Sequence, residues 1–200
     1  MSRYRTRSWR AFDPAAAAST LPSSAPNVRI LGLDPGSRRT GFGIVECRGA
    51  ELSLIAHGCL DVSAAGNAAR LRLIFEGLAA LVGEHHPGEI AVERVFVSRN
   101  VDSALKLGQA RGAALCAVPR GVPVFEYAPR AVKLALVGTG AAEKFQVAHM
   151  VRMLLGLSGA LSADAADALA IAVCHAHTRR LGALAAQQGM GRAPPRQALR

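Results

Sequence analysis

Residues Val28-Arg29-Ile30-Leu31-Gly32-Leu33-Asp34-Pro35-Gly36-Ser37 read as a buried strand that delivers one acid into a sharp turn. Asp34 closes the apolar run, and Pro35-Gly36 stops it. The turn through Arg38-Arg39-Thr40-Gly41 leads straight into a second apolar run at 41–47, and a third follows at 52–60. Connections this short favour an antiparallel meander. Farther along, Glu89-Ile90-Ala91-Val92-Glu93 repeats the motif of an apolar run ending in an acid. The segment Asp164-Ala165-Ala166-Asp167-Ala168-Leu169-Ala170 carries two more acids. If it is helical, their Cβ atoms face one way, roughly 5–6 Å apart.

Acids in apolar elements are costly unless something compensates them. A hard divalent cation with oxygen ligands is the obvious compensator for Asp34, Glu93, Asp164 and Asp167. Two such ions about 3.5–4 Å apart could align an attacking water and a leaving oxygen on one phosphate. Each acid also has a plainer reading: Asp34 could serve the turn, and Asp164 could cap the last helix.

The remaining elements follow from pattern. Leu71, Ile74, Phe75, Leu78 and Leu81 predict a helix over 67–83, ended by Pro87-Gly88. A strand at 89–95, a helix at 102–118 and a short strand at 122–126 come next. Helices are expected at 128–136, 143–155 and 162–177. Strand–helix–strand crossovers imply parallel strands in this half. The expectation is one α/β domain over 28–178: a mixed five-stranded sheet flanked by helices. Ligand sites in such sheets favour the carboxyl ends of strands, where Asp34 and Glu93 stand.

Residues 1–27, rich in Ala, Ser, Pro and Arg, are expected to be a disordered extension. Residues 179–200, with Pro194-Pro195, are expected to be a basic flexible tail. The formal charge is +10, of which the two ends carry +3 (1–27) and +5 (178–200). The centre is nearly balanced, yet 94–152 holds nine Lys/Arg against three acids. An acidic site beside a basic surface suits a polyanionic substrate. No run approaches 18 uninterrupted apolar residues, so no transmembrane helix is expected. Cys47, Cys59, Cys116 and Cys174 form no Cys-x-x-Cys pair, which fits reduced thiols in a cytoplasmic protein.

Five blocks in order carry a family resemblance. They are Ile30 to Ser37 with Thr40-Gly41-Phe42-Gly43; Val92-Glu93-Arg94-Val95-Phe96; Asn100 to Gly112; Ala142-Glu143-Lys144; and Asp164 to Ala172. Together they resemble the RuvC-type Holliday junction resolvases, endonucleases of the RNase H-like superfamily, over roughly residues 28–178. The resemblance implies that Asp34, Glu93, Asp164 and Asp167 hold Mg²⁺, with Mn²⁺ as a substitute, and perform the cutting. It implies a homodimer that nicks two equivalent strands of a four-way DNA junction in recombination and repair, prefers a short thymine-containing sequence, and works with the RuvA–RuvB branch-migration machinery.

It further implies that Lys144 sits near the scissile phosphate and that Phe96 is a loop aromatic stacking on or wedging between bases. Lys133 could hold a backbone phosphate or simply decorate a helix face. Arg99 and Arg111 are weaker DNA-contact candidates, as are Arg94 and Lys106. His175 shares a helical face with Asp164 but lies about 16 Å away along the axis, so it is read as structural or surface. The helix from Ser103 to Val118, with Gly108 and Gly112, is either core or a dimer face. A sugar kinase or actin-like ATPase would need a second Asp-x-Gly block, which is missing. A pure junction binder would gain from losing the acids. The related YqgF-type resolvases share the first block, but Lys106 to Gly112 fits the RuvC type better.

Overall fold

The computed structural model describes residues 27–94 and 100–187. Three strands, β1 (Asn27–Pro35), β2 (Arg39–Arg48) and β3 (Glu51–Asp61), form the antiparallel meander. Helix α1 (Asn67–His85) leads to β4 (Glu89–Glu93), and α2 (Val101–Cys116) leads to β5 (Val124–Tyr127). Helices α3 (Pro129–Val137), α4 (Lys144–Leu155) and α5 (Ala163–Gln187) complete the described chain. The sheet order is β3-β2-β1-β4-β5, with β1, β4 and β5 parallel to one another. This is the mixed five-stranded sheet that the sequence led us to expect.

Side-chain alternation along the strands divides the core in two. Leu31, Leu33, Ile90 and Val92 pack with Ile74 and Leu78 of α1 and with Ala110 and Ala114 of α2. Ile30, Val45 and Ala91 face the other way, toward α3, α4 and α5. Helix α5 crosses β1 and β2 on that second face, and glycine lets it come close. A Cβ on Gly32 would lie 2.8 Å from the amide nitrogen of Ala172 and closer still to the carbonyl oxygen of Ala168. A Cβ on Gly41 would collide with the carbonyl of Asp164. Backbone-to-backbone approach at these two points seats the acid-bearing end of α5 against β1 and β2.

Two boundaries differ from expectation. Strand β1 runs through Asp34 to Pro35, with Asp34 paired to Gly41, so the first acid sits inside the ladder. Helix α5 continues to Gln187, where a loose tail was expected from 179. Arg179 explains part of the extension: its side chain is held by Glu89 at 3.1 Å. Leu181, Ala183, Leu184, Ala185 and Ala186 are strong helix formers that continue it. Pro194-Pro195 lies outside the described residues.

Candidate active site

Asp34 and Glu93 stand one residue beyond Leu33 and Val92, the last paired residues of two adjacent parallel strands. Their carboxylates therefore leave the same edge of the sheet. Asp167 reaches that edge from the first turns of α5. The helix start is capped by Ser162, whose hydroxyl accepts from the amide of Ala165 at 3.3 Å and whose carbonyl accepts from Ala166 at 2.9 Å. Capping therefore does not occupy Asp164, which accepts from the Cys59 thiol at 3.7 Å and lies 3.9 Å from the Arg39 guanidinium.

Lys144 opens α4. Gly138, at φ +79°, ends α3 in the left-handed conformation, and Glu143 with Gln146 forms a reciprocal capping box on α4. The loop between is thus fixed at both ends, and Lys144 Nζ lies 2.9 Å from Asp167 Oδ2. Asp34, Glu93, Asp167, Lys144 and Lys133 line one cavity of about 350 Å³, with Val132, Val147 and Ile171 among its apolar walls. Asp164 opens instead on the adjoining depression with Ser37, Arg38, Arg39 and Ser63.

The field in the cavity is strongly negative. Burial, then the charges of Glu93 and Asp167, push the Asp34 carboxyl up to about 7; Lys144 offsets part of this and Asp164 adds to it. Glu93 is raised by burial and by Asp167, against Lys144 and Arg111. Lys144 is raised, chiefly by its hydrogen bond to Asp167. Among the described residues, no three Asp, Glu, His or Cys side chains close into a ready-made metal cage. The donor chemistry nevertheless fits a hard divalent cation: oxygen ligands, mutual repulsion, and a carboxyl that burial and neighbouring acids push up to about 7.

Other expected contacts fall elsewhere. Arg111 turns inward, 13% exposed, donating to the backbone carbonyl of Glu93 and to Glu126 Oε1 at 2.6 Å. The structure gives it a place bracing the acid-bearing strand end, where a phosphate contact was expected. Lys106 pairs with Asp102 at 2.6 Å one turn away on α2, and Arg94 lies 3.7 Å from Glu126. Phe96 and Arg99 lie outside the described residues. His175, read as structural or surface, is fully buried. Sequence reading missed Arg39 beside Asp164 and Glu126 beneath Arg111. Arg39 had a signal in the Arg38-Arg39 turn; Glu126 had none, because its role depends on strand register.

A family model described as crossover junction endodeoxyribonuclease RuvC matches residues 30–175. The chain belongs to the RuvC family. A RuvC crossover junction endodeoxyribonuclease from Methylococcus capsulatus is 57% identical over 153 residues, covering 76% of this chain and 92% of the relative. The structure of T. thermophilus RuvC in complex with a Holliday junction substrate superposes with a TM-score of 0.73 at 38% identity, covering 78% and 97% of the two chains. The yeast mitochondrial Holliday junction resolvase Ydc2 shares the fold, with a TM-score of 0.60 at 10% identity over 88% of this chain and 89% of that one. As a RuvC-family member this chain is a nuclease acting on phosphodiester bonds of DNA.

Proposed function

We propose that this chain resolves four-way DNA junctions by metal-dependent hydrolysis, with Asp34, Glu93, Asp164 and Asp167 as the acids that hold Mg²⁺ or Mn²⁺. The observation that carries the reading is the arrival of Asp34, Glu93 and Asp167, from three distant parts of the chain, around one cavity that also holds Lys144. Asp34, Glu93, Asp164 and Asp167 would hold the divalent cation, which would supply positive charge toward the scissile phosphate.

The chain's own residues do the rest. Lys144, with its side chain 81% exposed, is free on its outer side to meet the scissile phosphate while Asp167 anchors it. Lys133 lies on the same wall and suits a neighbouring backbone phosphate. Arg111 braces the end of β4 through the Glu93 carbonyl, keeping that carboxylate on the cavity. Phe96 and Arg99 remain part of the proposal as DNA contacts. Lys144→Ala should lower the single-turnover cleavage rate roughly 10²–10³-fold with little change in junction affinity. An equal loss in binding would instead make Lys144 a general phosphate contact.

The exposed face of α2 supports a homodimer. Val101 and Leu105 are 70% and 62% exposed, and Gly108 and Gly112 have open space where a Cβ would stand. A second copy placed there presents two sites to two equivalent strands. Leu105→Glu should shift the protein from dimer to monomer in sedimentation at micromolar concentration and abolish paired cutting. A variant that stays dimeric moves the interface elsewhere. RuvA–RuvB as partners and a cytoplasmic setting belong to the same proposal; among the described residues no helix is long and apolar enough to cross a membrane.

The test is strand-resolved cleavage of a synthetic four-way junction beside a linear duplex, in Mg²⁺ and in EDTA. Paired symmetric nicks that need the junction and the metal support the reading. Tight binding without cutting, in either Mg²⁺ or Mn²⁺, overturns it in favour of a junction-binding role.

A further inference from the structure

A second polar cluster lies under the sheet's other end, and the chemistry above makes no use of it. His175 and Glu89 are 0% and 2% exposed. Glu89 accepts from His175 Nε2 at 2.8 Å and from Arg179 Nε at 3.1 Å. The other ring nitrogen of His175, Nδ1, lies 2.6 Å from the Tyr127 hydroxyl, and Phe125 packs on the ring with centroids 4.3 Å apart. Burial alone would raise Glu89, yet its carboxyl is held below the ordinary value by the hydrogen bonds from His175 and Arg179.

The position of the cluster is informative. Glu89 and Glu93 are four residues apart on β4 and so leave the same face, about 13 Å from each other. His175 and Asp167 are eight residues apart on α5, about 12 Å along its axis. As it crosses the sheet, the helix therefore brings Asp167 to the cavity that holds Glu93 and His175 to Glu89. At the first end Asp167 acts against the charge of Glu93, with Lys144 offsetting part of it. At the second the facing groups attract.

Between the two ends Ala168 and Ala172 meet the bare backbone of Gly32, and Leu169, Ile171 and Val173 are buried beside them. The small side chains allow the close approach, and apolar contacts of this kind are non-directional. Directional buried hydrogen bonds are suited to fixing register.

We propose that Glu89, His175, Tyr127 and Arg179 form a positioning clamp that sets the axial register of α5 and so holds Asp167 beside Glu93 against their mutual repulsion. The clamp rests on the nuclease reading above, since it acts through the acids assigned there. Tyr127 adds a second link: its backbone carbonyl accepts from the amide of Arg94, the residue after Glu93, at 2.7 Å. One residue thus ties α5 both to β5 and to the end of the acid-bearing strand.

The test uses the full chain, with Tyr127→Phe as the mild variant and His175→Gln as the stronger one. Three quantities are measured: junction affinity in Ca²⁺, single-turnover cleavage at saturating junction, and the Mn²⁺ concentration that half-maximally raises the melting temperature. The clamp predicts unchanged junction affinity, cleavage slowed roughly tenfold or more, and a Mn²⁺ midpoint raised by roughly tenfold. Lower melting temperature with wild-type cleavage and a wild-type Mn²⁺ midpoint would reduce the cluster to core packing and overturn the proposal. If His175→Gln does not fold, Tyr127→Phe decides alone. A wild type whose melting temperature ignores Mn²⁺ fails the nuclease reading and takes the clamp with it; a responsive wild type matched by both variants sinks only the clamp.

Discussion

Asp34→Asn should abolish junction cleavage and at the same time make the metal-free protein more stable. The two effects have one cause. Asp34 sits at the end of β1 among Glu93, Asp167 and Asp164, and its carboxyl is pushed up to about 7 from an ordinary 3.8. Because the folded state holds this proton more tightly than the unfolded chain does, raising the pH works against the fold. The penalty is absent below about 4, grows through the window from 4 to 7, and is complete above it. Asparagine removes the charge and the penalty together. At pH 8 without metal, the variant should gain about 1–3 kcal/mol, or several degrees in melting temperature, with no gain at pH 4. Adding Mn²⁺ should close the gap by raising the wild type more than the variant. Cleavage should fall at least about a thousandfold, equivalent to about 4 kcal/mol of transition-state stabilisation. Junction affinity should hold or improve, since one negative charge facing phosphates is gone. A variant less stable than wild type at pH 8 would show that Asp34 is held by contacts that favour its ionised form.

Gly32→Val is expected to be the most damaging substitution outside the acids. The Ala168 carbonyl and the Ala172 amide belong to the backbone of α5, so neither can rotate away from a new side chain. Relief requires lifting the helix off β1, at a cost of about 3 kcal/mol or more. That corresponds to a loss of roughly 6–12 °C in melting temperature for a domain of this size. The lift would also carry Asp164 and Asp167 away from Asp34, so cleavage measured well below the melting temperature should fall as well. Gly83→Ala on α1 is the control: open space surrounds that position, and alanine there should be neutral or mildly stabilising. A Gly32→Val protein that melts like the Gly83→Ala control would mean that α5 does not rest on β1 as described.

The sequence was most legible where a single run of residues carries both structure and chemistry. Val28 to Asp34 announces a buried strand ending in an acid, and Glu89 to Glu93 does the same, so the sheet and two of its acids could be read directly. Asp164 and Asp167 were legible as a pair on one helical face. Their arrival at Asp34 was not, because convergence depends on how closely α5 can lie on the sheet, and Gly32 and Gly41 reveal that only in three dimensions. Arg111 was misplaced for a related reason. Its partners are the carbonyl of Glu93 and the side chain of Glu126, and only the parallel pairing of β4 with β5 brings those together. Arg179 was assigned to a tail because a terminal arginine run reads as solvated charge; its buried partner Glu89 is ninety residues upstream. The same distance hid the burial of His175.

The proposed site draws its acids from residue 34, residue 93 and residues 164 and 167, and the last pair lies on the final described helix. Synthesis delivers those parts in order from the amino terminus. A chain that stops before α5 has Asp34 and Glu93 but lacks Asp167 and the helix that must seat it. Such a fragment carries half of the proposed acids and should leave junction DNA uncut.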